Sequence, residues 1–494
     1  MIDRLLLPFS QASNREAAVG SFQTFKFPLD ERSRQERYVR EFDLPREVEA
    51  SLTKEQKQLL GQLTRVSRRI DDLFAAQESI SFWPDKINPT EIQQAAETNP
   101  DIVSPYTYVR RNTEGNLVAI PIHTVFQDLI REKGIVESLT DASSLARKGR
   151  SRDMALSIYL KARAEAFKRG NWEYSESLWL PIGNESKIFI VVGPYDTYSD
   201  PLKIKYAWES WVGVIDQEGS DNAQQFVDAF LKWQAEETGQ NPPKVAVRVD
   251  NTVIVSGQPY EYKWVGNSLP CQMELREQHG SVVTIFKPLF KDSLRQRRIP
   301  AYRSIIDPSH RSDVTDELIE VVTLNKYFSH EVSHSFVAKG IQERLGEHSA
   351  WIKELYCDLL AFRGYCAISK SKRECEIAFA TALADGSLEY SDYLQNNARP
   401  EYYIGDSIVL SFCIQKGSIK IKNGCLTWDN IEAVINDKFE LLAIVEEIQK
   451  NGTEADALRL AERYFDPEIY GKLRTQIKPP AILSKKSPKK RKQG

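Results

Sequence analysis

At 494 residues, with 41% hydrophobic and 27% charged content, the chain can bury sizeable cores and has no compositional bias toward disorder. A net charge of −3 excludes a broad electrostatic attraction to nucleic acid or membrane, and no apolar run approaches the length of a membrane span. Six scattered cysteines without a Cys-x-x-Cys pair, and an N-terminus without a secretion signal, lead us to expect free thiols and a cytoplasmic protein.

Residues 1 to about 50 are mixed and charged, and predict extended segments lying on other parts of the protein. From Thr53 a helix is expected: Thr53 and Gln56 form a capping box, and Leu59, Leu60, Leu63, Val66, Ile70, Leu73 and Phe74 make a helical stripe. The interval from Trp83 to Leu117 reads as loops with short helices, and Met154 to Lys168 as a second long helix. We therefore expect residues 1–180 to be mostly helical and to contribute to two lobes.

The pattern changes near Pro181. The β-branched run Lys187 to Val192 leads into the turn-rich segment Gly193 to Asp200, and the following LKIKYAWESWVGVID reads as helix or strand with Trp208 and Trp211 inward. Further strands are expected at Val245 to Val249, Val253 to Ser256 and Val282 to Phe286, giving a mixed α/β unit over 181–310. Helices return from Ser312, so 311–475 should be a helical lobe. The last ten positions hold six Lys and Arg residues with no apolar anchor. This basic tail, 476–494, is expected to be disordered; in a eukaryote it would read as a nuclear import signal, and nucleic-acid binding beyond weak contact by it is not expected.

The densest chemistry lies at His330-Glu331-Val332-Ser333-His334. Two histidines four apart lie on one helical face, where both imidazoles can reach one zinc ion, and Glu331 beside them can take a proton from a metal-bound water. Apolar Leu324, Phe328, Val332 and Phe336 predict a helix over Thr323 to Leu345, with Gly346 as its stop. Glu354 on the next helix completes a two-His, one-Glu set, and Asp358, one turn on, can accept the outer N–H of a ligating histidine. His348 and Cys357 compete for the third position and rank behind Glu354.

With GPYDTYSD at Gly193 to Asp200, FSHEVSHSF around the metal helix and ELYCD at Glu354 to Asp358, the chain resembles the dipeptidyl peptidase III family of zinc metallopeptidases. It is most similar to the shorter, bacterial-type members with a five-residue zinc motif, over roughly Leu59 to Tyr464. The resemblance implies an α+β fold of two lobes, one largely helical and bearing zinc, the other mixed with a small β-barrel-like sheet, and a cleft between them. It makes His330, His334 and Glu354 the zinc ligands, Glu331 the general base and Asp358 the acidic partner behind the metal. Tyr198 falls on the tyrosine that hydrogen-bonds the scissile carbonyl, Asp196 on an acid that holds the substrate amino terminus, and Glu209 on a further acid in a following helix.

Three departures stand out. The family's Asn-x-Pro-Asn segment, which supplies amides to the substrate amine, becomes Ser268-Leu269-Pro270-Cys271. A His-Gly pair that assists the transition state becomes Ile404-Gly405, with Tyr402 and Tyr403 nearby. Asp196 is one methylene shorter than the usual Glu. The expected function is hydrolysis of short peptides by a zinc-dependent, dipeptidyl peptidase III-like enzyme with one zinc per chain. The alternatives are a zinc hydrolase of a non-peptide or internal amide, which Ser268 and Cys271 favour, and a weakly active peptide-binding protein that retains zinc.

Overall fold

The computed structural model describes residues 37–473 except 149–152, 181, 183–185, 370 and 397–399. The expectations for residues 1–36 and for the basic tail lie outside the described residues. Among the described residues no helix is long and apolar enough to cross a membrane.

The sheet comprises β1 (Val39–Glu41), β2 (Ile188–Tyr195), β3 (Ala207–Ile215), β4 (Val245–Gly257), β5 (Gly266–Leu269) and β6 (Ser281–Phe286). Its order is β2-β3-β4-β6-β5, with β1 also on β4, and it curls into a half-barrel. The strand β4 has 13 residues, long enough to pair antiparallel with β3 on one side and, on the other, parallel with β6 and then antiparallel with β1. The two strands expected at 245–249 and 253–256 are thus one. Segment 207–215 is a strand, because its Val, Ile and Trp side chains bury on both faces, and Trp208 and Trp211 are inward as expected.

Alternation along β6 explains how the sheet serves two cores. Val282 and Phe286 join the N-terminal core, whereas Val283 and Ile285 join the core of the helical lobe. Helices α1 (Lys54–Gln77), α2 (Ile135–Ala146) and α3 (Met154–Arg169) pack around the first core, and α1 starts with the expected Thr53–Gln56 capping box. The interval expected as loops contains one unforeseen hairpin, Thr107–Arg111 paired with Leu117–Pro121.

Helix α4 (Gln217–Thr238) covers β4 and packs against the helical lobe on its other side. That lobe is built from α5 (Asp316–Ser333), α6 (Ser349–Ile368), α7 (Lys372–Asn396), α8 (Pro400–Lys416) and α9 (Ile431–Asn451). The central helix is α6, which buries residues all round its axis and contacts α5, α8 and α9. Gly364 lets α4 approach it: a Cβ there would stand 2.2 Å from the Phe230 ring. The whole is the two-lobed α+β architecture anticipated from sequence.

Candidate metal site and the cleft around it

Helix α5 is capped by Thr315, whose hydroxyl accepts from Leu318 N. It begins earlier than the expected Thr323 and stops at Ser333. His334 opens a 3-10 turn through Phe336, and Gly340, at φ 71°, precedes a separate short helix Ile341–Leu345. The continuous helix expected to Leu345 is therefore corrected. Ser329 and Ser333 bond back to the carbonyls one turn earlier, a pattern that bends helices, and the left-handed Gly340 completes the break. His334 keeps near-helical angles, φ −57° and ψ −25°, so the two rings still meet one turn apart, edge to face, with centroids 4.9 Å apart.

Packing of α6 against α5 brings Glu354 onto these rings. The Nε2 atoms of His330 and His334 are 3.2 Å apart, and Glu354 Oε2 lies 3.2 Å from the first and 3.6 Å from the second. A tetrahedral zinc with bonds near 2.0–2.1 Å requires donor–donor edges of about 3.3–3.4 Å, so the three atoms already outline one face of such a site. Glu354 Oε2 is also buried and takes no hydrogen bond, a costly state that a cation would relieve. Among the described residues this is the group of His, Cys, Asp or Glu side chains with metal-binding spacing. Burial works to raise the Glu354 pKa, but the two imidazoles outweigh it and hold the carboxyl below its usual range.

The outer ring nitrogens are also engaged. His330 Nδ1 is 2.8 Å from Asp358 Oδ1, and His334 Nδ1 is 3.4 Å from Cys357 Sγ. Cys357 thus sits behind the ring, and burial pushes its thiol well up, as expected of an uncharged neighbour. His348 lies in a 3-10 turn before α6, its Nδ1 facing the Trp351 indole at 3.4 Å, outside the group. Glu331 flanks the group on the cleft surface, with Tyr327 one turn earlier on the same helix.

His330, Glu331, His334, Glu354 and Asp358 form the floor of a cleft of about 900 Å³ whose opposite wall is the end of the sheet. Asp196 follows β2 in a left-handed conformation, φ 40°, and its carboxylate accepts from Asn267 Nδ2 at 3.1 Å and from the Cys271 thiol at 3.3 Å. Glu209 is on β3, not on a helix, because β3 pairs along its whole length with β2. It is fully buried behind Asp196, off the cleft surface, and accepts from Gln258 at 3.1 Å and from Asn267 at 3.4 Å. Gln258 also caps the Tyr195 and Asp196 carbonyls, an approach that needs Gly257: at φ 74° a Cβ there would lie 2.2 Å from Trp208 O. Burial, with Asp196 alongside, pushes Glu209 well above the usual carboxylate range. Burial also raises Asp196, offset in part by Cys271 and Asn267. Ser268 lines the cleft, its hydroxyl 3.4 Å from Arg276, which also holds the Ser268 carbonyl at 2.9 Å.

No family model matches the chain. A 230-residue stretch is 21% identical to Nudix hydrolase 3 of Arabidopsis thaliana, over 45% of this chain and 28% of that protein, so the chain spans less than a third of that relative. Solved structures align far more extensively. That of DPP III from Caldithrix abyssi superposes with a TM-score of 0.73 at 18% identity, covering 91% of this chain and 97% of that one. Dipeptidyl-peptidase III from Corallococcus sp. strain EGB gives 0.71 at 17% identity, with 86% and 90% covered. The fold is that of dipeptidyl peptidase III.

On this dipeptidyl peptidase III fold Tyr198 reaches the cleft, its ring packed against Tyr262 at 5.4 Å and Trp264 at 5.1 Å. Of the two tyrosines near Gly405, Tyr402 lines the cleft with its ring 6.3 Å from that of His330. Tyr403 is buried and hydrogen-bonds the Pro467 carbonyl. Asn267 and Gln258, which organise the acids, were not singled out from sequence. Asn267 stands one position before the segment read as having lost its amides, and only strand pairing reveals that it faces Asp196.

Proposed function

We infer that the chain is a zinc-dependent peptidase of the dipeptidyl peptidase III type, acting on short peptides with a free amino terminus. The observation that carries this reading is the three-atom face formed by His330, His334 and Glu354, with Glu331 beside it on the cleft floor. The donor set and the orphaned Glu354 oxygen fit zinc, which when bound would supply Lewis acidity toward a substrate carbonyl and the attacking water.

In this mechanism Glu331 takes the proton of the attacking water and later delivers it to the leaving amine. Tyr198 donates its hydroxyl hydrogen to the oxyanion as the tetrahedral species forms. Asp358 holds the His330 tautomer through Nδ1–H. Asp196, a half-buried acid facing the cleft, receives the substrate ammonium, with the Asn267 amide donating to it from behind and Glu209, held toward its neutral form by burial, beneath. Ser268 and Cys271 complete the rim of that subsite. A cytoplasmic setting fits the six free cysteines.

The test compares wild type and Glu331→Gln on a peptide library with free and acetylated amino termini, with zinc content measured in parallel. We expect one zinc per chain in both, dipeptides released from free termini by wild type, and loss of turnover in the variant. Equal cleavage of acetylated peptides would remove the amino-terminal assignment in favour of internal amides, and equal turnover by the variant would remove the hydrolytic role.

A further inference from the structure

The two histidines of the metal group are supported unequally from behind. Their Nε2 atoms face one another and Glu354, so a bound metal leaves each Nδ1 as the N–H of its ring. His330 Nδ1 meets a carboxylate at 2.8 Å, whereas His334 Nδ1 meets a sulfur at 3.4 Å. Both partners are neighbours on α6, Cys357 and Asp358, so the helix that supplies the third donor also braces the other two. Cys357 is 0% exposed, so the sulfur and not solvent meets the ring.

Resting on the metal-site reading above, we propose that Cys357 is a positioning residue for His334: its sulfur accepts Nδ1–H and thereby fixes the tautomer and the rotation that aim Nε2 at the metal. Sulfur is a weak acceptor, so it orients the ring while drawing less electron density into it than a carboxylate does. His330 is therefore the firmly backed ligand and His334 the softly backed one, which favours a more electron-poor metal than two carboxylate-backed rings would give.

The experiment measures zinc affinity by chelator competition for wild type, Cys357→Ala and Cys357→Ser, and records the near-ultraviolet spectrum of the cobalt-substituted wild type. Loss of the acceptor should weaken metal binding about 10- to 100-fold in the alanine variant. Serine, which restores an acceptor, should stay within about 3-fold of wild type. The cobalt protein should show no thiolate-to-metal charge-transfer band. The proposal falls if alanine binds as tightly as wild type, if serine is as weak as alanine, or if a charge-transfer band shows the sulfur itself to be a ligand. A wild-type protein that binds no zinc would instead overturn the metal-site reading, and this inference with it.

Discussion

The two walls of the cleft are built on different principles. On the helical side, His330, Glu331 and His334 come from one turn of chain, and Glu354, Cys357 and Asp358 from little more than one turn of the next helix. On the sheet side, Asp196, Glu209, Gln258, Asn267 and Cys271 come from the ends of several strands, with the Cys271–Asp196 contact spanning 75 positions. A site made by helical repetition tolerates shifts of whole helices, whereas one made by strand ends depends on the register of every ladder around it.

The largest effect that would test this contrast comes from the helical side. Glu331→Gln should lower kcat by about 10²- to 10⁴-fold with zinc content unchanged, read by steady-state kinetics and metal analysis. Next, Tyr198→Phe should cost about 10²- to 10³-fold, mostly in kcat, because its hydrogen bond strengthens as the oxyanion forms. A change confined to KM would instead place Tyr198 in ground-state binding.

On the sheet side, Asp196→Asn should reduce the preference for free over acetylated termini by about 10- to 100-fold, corresponding to loss of a charge-assisted contact. Burial raises Asp196, so kcat/KM for free-amine peptides should climb with pH as that carboxyl ionises, while the profile for acetylated peptides lacks this rise. Stability should carry the opposite signature. Glu209 ionises near 4.5 when unfolded and well above that when folded. Across the interval the folded state binds the extra proton, so this group's contribution to stability falls as pH rises. Glu209→Gln should flatten the slope of Tm against pH above about 4.5, whatever it does to Tm itself. The smallest effect is expected from Cys271→Asn, which replaces a weak S–H donor to Asp196 by an amide. KM for free-amine peptides should fall by about 2- to 5-fold.

The same contrast explains what the sequence could reveal. The metal group was legible because four-residue spacing on a helix specifies a shared face without knowledge of the tertiary fold, and the partner helix repeats the spacing at Glu354 and Asp358. The break after Ser333 was not, since Phe336 continues the apolar period across it and only the left-handed Gly340 marks the stop. The β-branched runs at 187–192 and 282–286 made two strands legible, although the first continues through Tyr195 into the segment read as a turn. Which of their neighbours pair was not legible. Glu209 was therefore assigned to a helix facing the substrate, although pairing with Gly193 buries it behind Asp196. Asn267 was passed over for the same reason: nothing local links it to a residue 71 positions earlier.

The alternation along β6 has a mechanical consequence. Because the two faces of β6 belong to different hydrophobic cores, the lobes share that strand as a common wall where a linker would otherwise be. Widening or narrowing the cleft must then be absorbed as twist in β4 and β6. The two halves should flex like a bent leaf, with amide exchange in those strands reporting the stiffness that sets how fast peptide enters and leaves.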